Sequence, residues 1–144
     1  MRIMALDVGD RRIGVALSDP TGLLARGLVI ITRTDDSSDI KEVLSLVREH
    51  TPGKLIAGLP LLLNGDEGQQ AQKVQAFCAL LRPELPIPLE MVDEQFSTVT
   101  AREYMQQNAR KKKNGVKQHD DAMAAAVILQ NYLDEELARR AHHL

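Results

Sequence analysis

Three acidic residues stand where carboxylates are unusual, and together they could bind a cation. Asp7 interrupts the apolar run Ile3–Val8, which is typical of a strand covered on both faces. Glu94 follows directly on another predicted strand, and sites collect at strand ends in parallel sheets. Asp121 has the helical spacing that puts it on one face with Ala124, Ala125, Ile128 and Tyr132. Each acid alone is explained by a turn or a helix cap, but the three together are harder to explain in that way.

The chemistry that these acids predict depends on a divalent cation. Three carboxylates within a few ångströms repel one another and hold extra protons unless a cation neutralises them. Oxygen ligands with open coordination positions favour Mg²⁺ or Mn²⁺ over Zn²⁺. Two such ions, about 3.5–4 Å apart, can hold a scissile phosphate, activate water and stabilise the leaving oxygen. Asp120 could reach the metal in place of Asp121, but the helical face favours Asp121.

The elements that must position these acids alternate in a pattern typical of an α/β fold. Five apolar segments predict strands at Ile3–Val8, Ile13–Ser18, Leu24–Thr32, Lys54–Leu59 and Ile87–Val92. Four helices are predicted, one capped by Ser37–Asp39 and the others over about Glu67–Leu81, Ser97–Gln107 and Gln118–Leu137. This order predicts a five-stranded mixed sheet, antiparallel over its first three strands and flanked by helices. We expect one domain over residues 1–137 and a C-terminal tail over residues 138–144.

A strongly basic segment precedes the helix predicted to carry Asp121. Residues 100–119 hold six basic residues and one acidic residue, although the whole chain has a formal net charge of −2. Such a segment beside a metal site would attract a nucleic acid backbone, and a solvated loop is the alternative interpretation. Because aromatic residues are scarce, recognition should depend on shape and backbone rather than on base stacking. The candidate nucleic-acid-binding residues are Arg11, Arg12, Arg110, Lys111, Lys112, Lys113 and Lys117.

The composition predicts a globular protein of the cytoplasm. Hydrophobic residues make up 44% of the chain and charged residues 26%, which is ordinary for a globular domain. Cys78 is the single cysteine, which excludes an intrachain disulfide and suits a reducing cytosol. The N-terminal sequence lacks the apolar core of a signal peptide, and no stretch is long enough to span a bilayer. We therefore expect no membrane partner.

Four segments of the sequence resemble those of one known family. They are Leu6–Asp19, Gly58–Pro60, Asp93–Thr98 and Asp121–Ala125, in the order and at the chain length of the bacterial YqgF family. The resemblance implies an RNase H-like fold and a nuclease of the kind described as pre-16S rRNA nuclease or Holliday junction resolvase. It also implies that the catalytic and metal-binding acids are Asp7, Glu94 and Asp121, with Mg²⁺ or Mn²⁺ as the cofactor.

Three functions remain open, and the resemblance implies the first two of them. The first is processing of the 5′ end of pre-16S rRNA in ribosome biogenesis, with structured RNA as the substrate. The second is resolution of branched DNA, which needs two symmetric cuts and hence a dimer, whereas the sequence itself is compatible with a monomer or a homodimer. The third is a nucleic-acid-binding protein in which the acids hold a structural ion. Gln95 departs from the family, which usually has arginine there, so this position brings no charge to clamp a phosphate.

Overall fold

A five-stranded sheet with helices on both faces forms the centre of the molecule. A computed structural model describes residues 1–60, 68–93 and 122–142. The strands are β1 (Ile3–Val8), β2 (Arg12–Ser18), β3 (Ala25–Thr32), β4 (Lys54–Leu59) and β5 (Leu89–Asp93). The helices are α1 (Asp36–His50), α2 (Gln69–Leu81) and α3 (Met123–His142), and a short 3₁₀ helix spans Arg82–Glu84.

The strand order β3-β2-β1-β4-β5 confirms the predicted mixed sheet. β1 pairs antiparallel with β2, and β2 pairs antiparallel with β3. β4 lies parallel to β1 on one side and parallel to β5 on the other. The carboxyl ends of β1, β4 and β5 therefore lie along the same edge of the sheet, the edge at which β1 ends with Val8.

Side chains of β1 alternate between two apolar layers. Leu6 and Val8 pack with residues of α1 and α2 on one face of the sheet. Ile3 and Ala5 pack with residues of α3 on the other face. Because successive side chains of a strand point to opposite faces, Asp7 lies on the face that α3 covers.

Helix α1 is capped earlier than predicted. Its N-cap is Asp35, whose carboxylate accepts a hydrogen bond from the Ser38 backbone N–H at 2.8 Å. The predicted capping residues Ser37–Asp39 lie within the first turns instead, so that prediction was wrong. Asp39 is only 1% exposed, and its carboxylate is bound to Arg33, which explains why it faces inward rather than capping the helix.

Several other element boundaries differ from those predicted. β2 and β3 begin one residue away from their predicted starts, at Arg12 and Ala25. β5 begins at Leu89 rather than Ile87, because Pro86 and Pro88 lack the N–H that a ladder requires. α3 continues to His142, five residues past the predicted end at Leu137, and an ion pair of 2.8 Å between Arg139 and Glu136 supports its last turns. α2 begins at Gln69. The helix predicted over residues 97–107 and the predicted starts at 67 and 118 lie outside the described residues.

Within the described ranges, no helix has the length and apolar character needed to cross a membrane.

Cys78 lies on the buried face of α2, and its thiol should be inert in the folded protein. Burial raises the pKa of the Cys78 thiol from 9.0 to about 11. We expect no reaction with a disulfide reagent at pH 8 in buffer, but complete reaction in denaturant, measured by absorbance of the released thiolate. Because the thiol ionises at lower pH in the unfolded protein than in the folded one, the free energy of unfolding should fall as the pH rises from about 9 to 11. Rapid modification of the native protein would contradict this prediction.

Candidate functional site

Asp7 is held at the centre of the sheet, near the edge where the parallel strands end. Its cross-strand partner on β2 is Gly14, which contributes no side chain to the space beside the carboxylate. Asp7 is half-buried on the face that α3 covers. A carboxylate that loses part of its water is stable as an anion only beside hydrogen-bond donors or a cation. The site therefore has a half-buried carboxylate on a central strand, opposite a residue that has no side chain.

The other two acids of the predicted site lie outside the described residues. Glu94 follows Asp93, the last residue of β5, whose register partner is Leu59 at the end of β4. Asp121 precedes Ala122, which is buried at the start of α3. In the described part of the chain, no three His, Cys, Asp or Glu residues are placed to hold a metal ion. The grouping of the three acids thus stays a prediction.

The start of α3 packs closely against β3. A Cβ built on Gly27 would lie 2.8 Å from the Cβ of Ala122 and 3.3 Å from its carbonyl oxygen. Real Cβ atoms do not approach so closely, so the absence of a side chain at Gly27 sets how near α3 lies to the sheet. Gly27 therefore determines the position of the residue that follows Asp121.

The substitution Gly27→Ala should displace the start of α3. We expect a loss of about 1–3 kcal/mol in the free energy of unfolding, because the added methyl overpacks the contact with Ala122. Urea denaturation monitored by circular dichroism measures the loss. Ala122→Gly removes the opposing methyl, so the double variant Gly27→Ala with Ala122→Gly should recover stability relative to Gly27→Ala. A destabilisation that the second substitution leaves unchanged would contradict this account.

The turn that follows Asp7 is held by side chains from two other elements. The Gly9 N–H donates to the Arg12 carbonyl oxygen at 2.9 Å, which closes the turn between β1 and β2. The Val8 carbonyl oxygen accepts from Gln70 Nε2 at 3.1 Å, and the Gly9 carbonyl oxygen accepts from Arg33 at 3.0 Å. A Cβ on Gly9 would lie 2.9 Å from the Arg12 carbonyl oxygen, so this turn requires glycine. The backbone beside Asp7 is thereby fixed.

The predicted nucleic-acid-binding residues are described in part. Arg11 and Arg12 are exposed on the turn beside Asp7. Lys73 reaches the same turn from α2, where its Nζ lies 3.2 Å from Asp10 Oδ1. The turn that follows Asp7 therefore carries two exposed arginines and an ion pair. The remaining candidates lie outside the described residues: Arg110, Lys111, Lys112, Lys113 and Lys117.

Sequence reasoning missed the residues that fix the turn. Arg33 was not singled out, and Asp39 was assigned to the helix cap. Gln70 lies one residue inside α2, and nothing in the local pattern links it to β1. The contact of Gln70 with Val8 spans 62 positions in the sequence, and that of Arg33 with Gly9 spans 24. The one available signal was an acid at a position of α1 where helical spacing predicts an inward-facing side chain.

Comparison with known proteins identifies the family. A family model described as "RuvX: Holliday junction resolvase" matches residues 1–135. A protein of Roseiflexus sp. strain RS-1 is 47% identical over 135 residues, which cover 94% of this chain and 95% of the relative. A protein of Dehalococcoides mccartyi is 49% identical over 128 residues, which cover 89% of this chain and 94% of the relative. Both relatives are named "Putative pre-16S rRNA nuclease".

Solved structures confirm the RNase H-like fold. Thermus thermophilus RuvC matches with a TM-score of 0.61 at 12% identity, over 96% of this chain and 97% of that one. The same protein in complex with a Holliday junction substrate matches with a TM-score of 0.60 at 13% identity, over 95% and 96% of the two chains. At these identities the likeness concerns the fold alone. The family match and the relatives confirm the resemblance found in the sequence, and the chain belongs to the RuvX (YqgF) family of resolvase-like nucleases.

Proposed function

We propose that this protein is a divalent-metal-dependent nuclease that cuts structured RNA and processes the 5′ end of pre-16S rRNA. The observation that carries the proposal is Asp7, a half-buried carboxylate on the central strand at the edge where the parallel strands end. The names of the two bacterial relatives support the RNA substrate. The family match over residues 1–135 supports one nuclease domain over residues 1–137, and the substrate would place the protein in the cytoplasm.

Asp7 fits a hard divalent cation. Its ligand atoms are carboxylate oxygens, and β1 holds them beside a position where Gly14 has no side chain. We assign Glu94 and Asp121 as the further ligands, and oxygen ligands alone favour Mg²⁺ or Mn²⁺. A bound cation would neutralise charge on the scissile phosphate and lower the pKa of the attacking water. The protein's own part is to keep the carboxylates on rigid elements and in register.

Basic residues beside the site would hold the nucleic acid. Arg11 and Arg12 are exposed on the turn directly after the strand of Asp7. We assign Arg110, Lys111, Lys112, Lys113 and Lys117 to the same surface. Phosphate contacts of this kind fix the position of the strand without reading its sequence, so selection would follow RNA shape.

Neutralising the basic segment should weaken RNA binding and its dependence on salt. For a variant with Lys111, Lys112 and Lys113 changed to Gln, the slope of log K against log salt should fall by about 2, since each single-strand phosphate contact contributes about 0.7. Fluorescence anisotropy at several salt concentrations measures both quantities. A variant with Arg48, Arg139 and Arg140 changed to Gln loses the same charge elsewhere and should keep the wild-type slope. Equal slopes in the two variants would contradict the assignment.

Resolution of branched DNA is the second candidate function. The description of the matching family as Holliday junction resolvase favours it. Two symmetric cuts in a four-way junction need two active sites, which a homodimer would supply. A monomer would serve the RNA reaction equally well. A protein that only binds nucleic acid around a structural ion is the third candidate.

One comparison separates the three functions. In the presence of Mn²⁺, wild-type protein is incubated with a precursor 16S rRNA fragment and, in parallel, with a four-way DNA junction. A chelator is added to a matched sample of each. Cleavage of the RNA near the mature 5′ end that the chelator abolishes is the expected result. Paired cuts in the junction, without cleavage of the RNA, would show that the function is junction resolution and not RNA processing. Binding of both substrates without cleavage would favour the third candidate, a protein that only binds nucleic acid.

A further inference from the structure

The turn after Asp7 is held by an arginine that belongs to neither β1 nor β2. Arg33 follows the end of β3, and its guanidinium donates three hydrogen bonds. Its Nε donates to Asp39 Oδ2 at 3.1 Å, and its two terminal nitrogens donate to the Gly9 carbonyl oxygen at 3.0 Å and to Asp36 Oδ1 at 2.8 Å. We propose that Arg33, held by Asp39, is a positioning residue that fixes the Asp7 carboxylate through the Gly9 carbonyl. This inference rests on the proposed function.

Asp39 makes the position of the arginine rigid. Its side chain is 1% exposed and that of Arg33 is 18% exposed, so the pair is largely withdrawn from water. The second oxygen of Asp39 accepts from the Thr34 backbone N–H at 3.2 Å. The guanidinium also lies 5.1 Å from the centre of the Phe77 ring on α2. Contacts from α1, from α2 and from the turn after β1 thus leave the guanidinium little freedom.

The same contacts reach the backbone next to Asp7. Gly9 is two residues after Asp7, and the intervening Val8 carbonyl is bound by Gln70. The Arg33 backbone N–H also donates to the Arg11 carbonyl oxygen at 2.9 Å, so one residue holds both sides of the turn. Metal-binding carboxylates must keep their position to within about 0.5 Å for efficient chemistry. Loss of these contacts would free the end of β1 and the carboxylate with it.

Three coplanar N–H donors of the Arg33 guanidinium are essential for positioning the turn. Lysine keeps the charge near Asp39, but a single ammonium on a flexible stem cannot reproduce three donors in one plane. Arg33→Lys should therefore keep the ion pair while loosening the turn. Arg33→Met removes both the charge and the donors. The two substitutions separate electrostatic stabilisation of the fold from positioning of the turn.

The control is an ion pair at the opposite edge of the sheet. Lys54 begins β4 and forms an ion pair with Glu90, and its Nζ donates to the Tyr132 hydroxyl at 2.7 Å. Lys54 is level with Ile3 of β1, which places it about 13 Å along the strand from Asp7. Glu90→Gln weakens this pair on the same sheet. It should leave both the turn and the cleavage unchanged.

Three readouts test the proposal on the full chain. Hydrogen exchange followed by mass spectrometry reports opening of residues 8–12. Calorimetric titration with Mn²⁺ alone reports metal affinity, and steady-state cleavage of the precursor 16S rRNA fragment reports kcat and KM. We expect Arg33→Lys to lower kcat and Mn²⁺ affinity about tenfold and Arg33→Met about a hundredfold, with KM for RNA unchanged. Exchange of residues 8–12 should be faster in both variants and unchanged in Glu90→Gln.

Each alternative outcome overturns the proposal or supports it. Unchanged exchange of residues 8–12 in Arg33→Met would overturn it, because the arginine would not hold the turn. Faster exchange with unchanged kcat and Mn²⁺ affinity would also overturn it, because the turn would not position Asp7. An equal loss of kcat in Arg33→Met and in Glu90→Gln would also overturn it, because the Arg33–Asp39 pair would then only stabilise the fold. If wild-type protein cleaves nothing, the proposed function fails, while exchange and Mn²⁺ affinity still decide the role of Arg33.

Discussion

The substitution Asp7→Asn should lower the rate of RNA cleavage by about a thousandfold and leave the fold intact. An amide has nearly the size and shape of a carboxylate, so packing beneath α3 is preserved. It has no negative charge, so it can neither neutralise a divalent cation nor hold it in place. RNA affinity should stay within about twofold of wild type, because the basic residues that contact phosphates are unchanged. The variant thus separates the chemistry of the site from binding.

Single-turnover cleavage with Mn²⁺, thermal unfolding and fluorescence anisotropy measure the three properties of Asp7→Asn. Asp10→Asn is the matched control, since Asp10 is exposed on the turn, three residues away, and contacts Lys73. Its cleavage rate should stay within about twofold of wild type, as is usual for exposed substitutions. An Asp7→Asn protein that keeps a tenth of the wild-type rate would show that Asp7 is not a catalytic ligand.

The second large effect is expected at Asp121 and not at Asp120. Asp121 has the helical spacing of Ala125, Ile128 and Tyr132, and these three residues are buried in α3 as predicted. Ala124, predicted on the same face, is half-buried and lies at its margin. Asp121→Asn should therefore reduce cleavage about a hundredfold or more, and Asp120→Asn only a few-fold.

Parallel cleavage assays of Asp121→Asn, Asp120→Asn and Glu94→Gln measure this effect. Glu94→Gln should match Asp121→Asn, because each removes one proposed ligand of the same cation. Nucleic acid affinity serves as the control for folding and should be retained in all three variants. A larger loss in Asp120→Asn than in Asp121→Asn would assign the metal ligand to Asp120.

The strands were predictable because their burial is local in the sequence. The runs Ile3–Val8 and Lys54–Leu59 are apolar throughout except at Asp7 and Lys54, and the structure places both strands at the predicted residues. The antiparallel start followed by parallel strands also followed from the spacing of apolar runs. β5 was predicted two residues too early because its apolar character begins at Ile87, before the prolines end.

The support of the site was not predictable in the same way. Arg33 and Asp39 are six residues apart, and the Gly9 carbonyl oxygen that Arg33 also binds lies 24 positions from Arg33 in the sequence. Propensity and periodicity describe one element at a time, whereas these contacts depend on how β3, α1 and the turn after β1 meet. Asp7 was found because a charge inside an apolar strand is visible locally. Arg33 was missed because a charge after a strand is ordinary.

The binding position of a divalent cation can be located by NMR. Mn²⁺ broadens the amide signals of nearby residues in a two-dimensional ¹⁵N NMR spectrum, and a protein of 144 residues suits this measurement. We expect selective broadening at the edge that includes Leu6, Asp7 and Gly58, and we expect it to disappear in Asp7→Asn. Broadening confined to the opposite edge of the sheet, or broadening that persists in Asp7→Asn, would contradict a catalytic metal at Asp7.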